Sequence, residues 1–140
     1  MIQSICGRVI IWRRKMNILY QSLAVGVGAF FGGCLRSVLS TVLNQKGNRF
    51  RWGTIMANLI GSCFLGIVIG SVQLHEISDT TQLVAAIGFS GGLTTFSTFT
   101  SESFKMFRQA PKWQAWTYWC GTLVACMLMF WFGLWLNATI

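Results

Sequence analysis

Long apolar stretches alternate with short polar connectors along this chain of 140 residues. Four stretches, at about 18–42, 53–72, 83–104 and 113–136, are each close to the ~20 residues that a helix needs to cross a bilayer. An open strand would leave backbone groups unpaired in lipid, so the stretches are predicted to be helices. The pattern therefore predicts an all-α, multi-pass integral membrane protein with four transmembrane helices and no separate soluble domain.

The composition changes which functions need to be considered. Hydrophobic residues make up 54% of the chain and charged residues 10%, whereas a soluble domain usually has about 25% charged residues. The net charge is +8, but the Lys and Arg residues cluster in the connectors, which favours membrane flanks over a nucleic-acid partner. One histidine and three acidic residues form no nucleophile–base or metal-ligand cluster, so an enzyme is not expected.

The segment 1–15 differs from the rest of the chain. Its positive residues are Arg8, Arg13, Arg14 and Lys15. Two interpretations stay open: a basic leader on the membrane surface, or a mis-annotated stretch before a true start at Met16. With the leader, the polar segments on one side of the membrane carry four positive residues and those on the other side carry six. Without it, the numbers are none and six, and the positive-inside rule then predicts that the first and third loops are cytoplasmic. The four-helix domain is predicted to cover 16–140.

Small and polar residues recur at four-residue spacing in the first, second and fourth stretches, which keeps them near one helix face. The glycines among them are interpreted as packing positions, because small residues let helix backbones approach closely. Two polar members leave alternatives open. Asn58 either bonds a neighbouring helix or faces a transport path, and Arg36 either anchors a helix end or lines a pore.

The third stretch has a regular apolar start at 83–89 and then the sequence SGGLTT at 90–95, which is a poor helix former. We expect the helix to break there in mid-membrane and to begin again near Thr94. The backbone groups freed by a break are tolerated only where protein, water or an ion satisfies them. Phe96 and Phe99 are predicted to share one face of the second half, with Glu102 on the opposite face.

Three segments together resemble the small bacterial fluoride channels, the Fluc or CrcB family. GGLTTFSTFTSE at 91–102 closely resembles the third-helix signature of the family, and GTIMANLIGSCFLG at 53–66 resembles its second-helix pattern GTLxxNxxGSFxxG. GAFFGGCLRS at 28–37 resembles the first-helix pattern GGxxGxxxR more loosely. The likeness extends in order over about 17–136.

This resemblance implies a fluoride-specific channel that lets fluoride leave the cytoplasm passively across the bacterial inner membrane, which reduces its toxicity. It also implies an antiparallel, dual-topology homodimer in the lipid, or a pair with an oppositely inserted paralogue. A structural Na⁺, required but not transported, is expected on the backbone carbonyls of Gly91 and Thr94. The residues expected along the fluoride pathway are Asn58, Phe96, Thr98, Phe99, Tyr118 and Thr122. Supporting positions are Arg36, Ser97, Glu102 and Cys126, the last being a thiol where the family has a hydroxyl.

The chemistry of fluoride agrees with this implication. The ion is small and strongly hydrated, so a pore must replace its water shell with amide and hydroxyl donors and with the positive edges of aromatic rings. Two other classes are retained as alternatives. A coupled exporter of cationic drugs would need a carboxylate in the first stretch, which carries Arg36 instead. A non-transporting assembly subunit would use all the small and polar residues at four-residue spacing for helix packing and would show no ion flux.

Overall fold

The structure, a computed structural model, describes residues 18–44, 50–73 and 79–139, and every regular element in these ranges is a helix. In chain order the elements are α1 Ile18–Leu43, α2 Trp52–Gln73, α3 Asp79–Gln82, α4 Leu83–Ser90, α5 Gly91–Leu93, α6 Phe96–Gln109 and α7 Lys112–Thr139. Within the described ranges, four helical segments are long and apolar enough to cross a membrane, which confirms the four predicted spans. The third of these spans contains α3 to α6. The two interpretations of 1–15 concern residues outside the described part of the chain.

The first span packs closely against the third. A Cβ atom on Gly88 would stand 2.7 Å from the carbonyl oxygen of Val25 in α1, and a Cβ on Gly32 would collide with the carbonyl of Phe89. Backbones at this separation leave no space for a larger side chain. Gly28 and Gly32 of α1 therefore act as packing positions, as their four-residue spacing predicted, whereas Gly26 and Gly33 meet open space.

The second span packs against the fourth along its length. Gly66 lies against the backbone of Phe130, and Gly70 lies against Asn137, so α2 and α7 run in the same direction. Near their carboxyl ends, the Asn137 Nδ2 atom donates to the carbonyl of Ile67 at 2.6 Å, and Ser71 Oγ donates to Asn137 Oδ1 at 3.1 Å. These two hydrogen bonds join the carboxyl ends of the two helices.

The start of the third span is not the regular helix expected from its apolar sequence. Leu83–Ser90 is wound as a π-helix, and Ser90 Oγ donates to the carbonyl of Ala85, five residues earlier, at 3.1 Å. A π turn contains more residues than an α turn and so changes which residues face a neighbour. Here Gly88 and Ser90 are both buried, and Gly88 lies against α1.

The helix break falls on two threonines and not on the two glycines. Gly91–Leu93 is helical, whereas Thr94 and Thr95 are extended, with ψ angles of 150° and 116°. The new helix begins at Phe96, two residues later than expected. Gly92 is instead a packing position, because a Cβ there would collide with the backbone of Ala29. The position of the break is thus set by contacts that the local sequence does not reveal.

Candidate functional site

Asn58 of α2 holds the extended residues of the break. Its side chain is buried, its Oδ1 accepts from the Thr95 amide at 2.8 Å, and its Nδ2 donates to the Thr95 carbonyl at 3.4 Å. In an uninterrupted α-helix, the Thr95 amide would donate to the carbonyl of Gly91, four residues earlier. The Asn58 side chain therefore replaces a helical hydrogen bond with one between spans, which we call the Asn58–Thr95 clasp.

Thr95 also caps the helix that follows the break. Its Oγ1 accepts from the Thr98 amide at 3.2 Å, as a threonine at the N-cap position does, and donates to Thr98 Oγ1 at 3.0 Å. In a continuous helix, the Thr98 amide would donate to the carbonyl of Thr94. The clasp and the cap together release the carbonyls of Gly91 and Thr94 from their helical donors.

A groove with a volume of about 260 Å³ opens beside the break. Four of the side chains predicted for a fluoride pathway line it, and they come from α2, α6 and α7: Asn58, Phe96, Phe99 and Thr122. Cys126 lies in the same lining, together with Ser62, Leu65, Thr94, Thr95 and Leu123. Folding thus gathers an amide, several hydroxyls, a thiol and two aromatic rings from three spans into one space.

The two phenylalanines of the groove differ in exposure. Phe99 is 2% exposed, whereas Phe96 is 74% exposed in the single chain. Their ring centroids are 6.3 Å apart with an interplanar angle of 47°, and the inner ring also packs on Tyr118 at 5.5 Å. The inner ring is therefore fixed by its neighbours, while the outer ring is held mainly by its own helix.

A second cavity with a volume of about 180 Å³ adjoins the groove at Thr122, which lines both spaces. Its other lining residues are Phe50, Trp52, Ile55, Thr117, Tyr118, Gly121 and Ala125. Tyr118 is buried, and the ring of Phe50 stacks on it at a centroid distance of 6.2 Å. Tyr118 and Thr122 of α7 therefore lie along neighbouring spaces, with Thr122 shared and Tyr118 in the second cavity only.

Glu102 reaches the same region, contrary to its predicted placement opposite both phenylalanines. Its Oε2 accepts a hydrogen bond from Tyr118 Oη at 2.9 Å, and the Tyr118 ring packs on Phe99. The prediction was wrong because residues three apart on an α-helix differ by only about 60° around the axis. Since a tyrosine hydroxyl has one hydrogen to donate, the hydroxyl of Tyr118 is already used by the carboxylate.

The remaining predicted residues lie outside both cavities. Thr98 and Ser97 are exposed in the first turn of α6, Gly91 is exposed on α5, and Arg36 is half-buried on α1. No three His, Cys, Asp or Glu residues of the described ranges come together as a metal site.

Sequence reasoning missed Gln114 of α7. It is 7% exposed and stands four residues before Tyr118, which continues the stripe of Tyr118, Thr122 and Cys126 by one more position on the same helix face. The signal was the four-residue spacing itself, which extends one step towards the amino end of the helix. The buried polar face of α7 is thus longer than the three residues first considered.

Comparison with known proteins identifies the family. The sequence profile described as "CrcB-like protein, Camphor Resistance (CrcB)" matches residues 23–134. This chain belongs to the CrcB-like family. A relative from Bordetella bronchiseptica, named as the fluoride-specific ion channel FluC, is 40% identical over 113 residues, which cover 80% of this chain and 87% of that protein. Proteins with the same name are 36% identical in Nautilia profundicola, covering 76% and 85%, and 35% identical in Methanococcus aeolicus, covering 84% and 95%.

The CrcB-like assignment confirms the family resemblance that three motifs indicated. These relatives are named as ion channels, so the chain belongs to a family of channels and not to a family of enzymes. With four helices long and apolar enough to span a bilayer, it is a multi-pass membrane protein. The groove at the break is the candidate site at which this CrcB-like chain would meet an ion.

Proposed function

We propose that this chain forms a fluoride-specific channel through which fluoride leaves the cytoplasm passively across the inner membrane. The names of its relatives support the choice of ion. The observation that carries the proposal is the groove at the break, where an amide, a hydroxyl and two aromatic rings from three spans meet: Asn58, Thr122, Phe96 and Phe99.

The groove has the chemistry needed to strip and release a small anion. The Asn58 Nδ2 atom makes one long hydrogen bond, at 3.4 Å to the Thr95 carbonyl, which leaves its second N–H for fluoride. Thr122 adds a hydroxyl, and aromatic rings present positive edges to an anion. Because no cationic side chain is among the described residues that line the groove, it would bind fluoride weakly enough for release, which conduction requires.

Four of the five tryptophans of α7 support a mid-membrane position for the groove and the break. Trp113 and Trp116 near one end, and Trp131 and Trp135 near the other, are exposed as expected for side chains at the two membrane interfaces. The groove residues Thr122 and Cys126 of α7 lie about 14 Å along the helix axis from each pair, at 1.5 Å per residue. Half of a typical hydrocarbon core is about 15 Å thick.

The proposal includes a structural Na⁺ at the break, which is required but not transported. The residues present fit such an ion, because the carbonyls of Gly91 and Thr94 have lost their helical donors to the clasp and the cap. Oxygen is the ligand that small hard cations prefer. The ion would supply a fixed positive charge that offsets the repulsion between the gathered carbonyl dipoles.

The proposed assembly is an antiparallel, dual-topology homodimer, or a pair with an oppositely inserted paralogue. The exposure of Phe96 supports a partner, since 74% of a ring beside the proposed ion path is uncovered in the single chain. A second chain would cover this ring, exclude lipid from the groove and add carbonyls to the site of the cation.

Fluoride efflux from liposomes tests the proposal. Protein is reconstituted with K⁺ fluoride inside, efflux is started with a K⁺ ionophore, and a fluoride electrode records it without ATP or a proton gradient. We expect rapid fluoride efflux, negligible chloride efflux, and loss of flux in Phe96→Ile and Phe99→Ile. Chloride efflux without fluoride efflux, or flux that needs a proton gradient, would contradict the proposal and favour a coupled exporter.

A thermal melt tests the proposed Na⁺. When Na⁺ is replaced by a large organic cation at constant ionic strength, we expect the melting temperature and the flux to fall together, and to recover when Na⁺ returns. Melting temperature and flux that are both independent of Na⁺ would remove the ion from the proposal while leaving the fluoride pathway in place.

A further inference from the structure

Arg51 stands beside the second cavity. Arg51 is exposed, and its two neighbours in the chain, Phe50 and Trp52, both line that cavity. The cavity extends from this end of α2 past Tyr118 to Thr122, where it meets the groove. Arg51 therefore stands at the end of the second cavity that is far from the groove.

Charges of both signs stand near this cavity. No acidic residue is among the described residues that line it, but the Glu102 carboxylate accepts a hydrogen bond from the lining residue Tyr118 at 2.9 Å, so its negative charge partly offsets the positive charge of Arg51. The positive residues that flank the α6–α7 connection, Lys105, Arg108 and Lys112, do not line the cavity, and Arg108 lies over the ring of Phe104 at 5.8 Å. Among the described residues, Arg51 is the cationic side chain that lies between two residues of the cavity wall, Phe50 and Trp52.

Building on the proposed fluoride channel, we propose that Arg51 recruits fluoride from solution into the second cavity and so sets the flux at low ionic strength. Low-dielectric walls focus the field of a nearby charge and can raise the local concentration of the opposite ion ten- to about a thousandfold. The walls here are aromatic, formed by Phe50, Trp52 and Tyr118. An exposed cation attracts a small anion without holding it tightly, because water screens the contact. The residue acts at the entrance, outside the groove that selects the ion.

The test compares salt dependence in four reconstituted proteins. Wild type, Arg51→Gln, Arg51→Lys and the matched control Arg108→Gln are assayed in an impermeant organic salt at about 0.01 M and about 1 M, where the screening length is about 30 Å and about 3 Å. At low salt we expect Arg51→Gln to lower the initial fluoride flux about three- to tenfold. At high salt the initial fluoride flux of Arg51→Gln should approach that of wild type. Arg51→Lys should behave as wild type at both concentrations, and Arg108→Gln should change little.

A charge reversal makes the sign of the effect visible. In Arg51→Glu, flux should rise as salt is added, whereas in wild type it should fall. Two results would overturn the inference. If Arg51→Gln lowers the fluoride flux equally at both salt concentrations, the residue has a structural role. If Arg108→Gln lowers the flux as much as Arg51→Gln does, the effect comes from the net charge of the protein and not from the position of Arg51. Absence of fluoride flux in wild type would instead refute the proposed function, so the two failures are distinguishable.

Discussion

Substitution of Asn58 can separate its role in holding the break from its role in conduction. Asn58→Asp keeps an oxygen that accepts from the Thr95 amide, but it removes the NH₂ donor and adds a negative charge. Asn58→Ala removes the acceptor, the donor and the volume together. Because Asn58 makes the clasp and also lines the groove, only a pair of variants of this kind distinguishes the two roles.

The structure gives the size of the stability effect. Thr95 is 7% exposed, so its amide in Asn58→Ala loses its acceptor in a place that water scarcely reaches. Leaving a buried donor unpaired costs about 1–3 kcal/mol. At about 2–4 °C per kcal/mol, the melting temperature should fall by about 2–12 °C. In Asn58→Asp the acceptor of the Thr95 amide remains, and a carboxylate beside the first turn of α6 is favourable, but its second oxygen replaces the Nδ2 donor beside the Thr95 carbonyl. The melting temperature should therefore fall less than in Asn58→Ala.

The effect on flux follows from repulsion between like charges. Two unit charges about 4 Å apart repel by about 4 kcal/mol at an effective dielectric constant of about 20, which corresponds to roughly a thousandfold in rate. We therefore expect Asn58→Asp to fold and to lose fluoride flux. Tryptophan fluorescence in detergent measures melting, and the fluoride electrode measures flux. Wild-type melting of Asn58→Ala would refute the clasp, and wild-type flux in Asn58→Asp would refute the amide donor.

Three further predictions concern single contacts, and melting temperature measures each. Thr95→Val should lower stability by about 1 kcal/mol by removing the cap of α6, whereas Thr95→Ser should retain it; equal melting of the two would contradict the cap. Gly32→Ala should destabilise the protein by about 1–3 kcal/mol, because the new Cβ would collide with the carbonyl of Phe89, whereas the Cβ of Gly33→Ala meets open space and should be neutral or stabilising. The reverse order would refute the packing of α1 against the third span. Tyr118→Phe should cost about 1.5–3 kcal/mol by leaving Glu102 without its donor, and an unchanged melt would show that the bond is dispensable.

The four spans were predictable because the bilayer permits few alternatives. A stretch of about 20 apolar residues must satisfy its own backbone, so length and hydropathy alone indicate a helix. The glycine stripe of α1 was predictable for a related reason, since small side chains at a fixed spacing have few uses other than close packing. These features depend on periodicity within one segment, which the sequence displays directly.

The position of the break was not predictable in the same way. The two glycines are the weakest helix formers of the segment, yet Gly91 and Gly92 are helical, and Thr94 and Thr95 are extended. The reason is the clasp, whose acceptor lies 37 residues earlier in the chain. Helix propensity describes a residue alone, whereas here a partner from another span decides which amide leaves the helix.

The Asn58–Thr95 clasp also has a consequence for biosynthesis. A chain is made from its amino end, so the acceptor on α2 is synthesised 37 residues before the amide that it receives. When the third span enters the bilayer, the group that satisfies its interrupted backbone is already there. A circular permutant that inserts the third span before the second would expose the unpaired amide to lipid, at a penalty of several kcal/mol until α2 arrives. The order of the spans along the gene is therefore part of what makes a broken helix tolerable in the membrane.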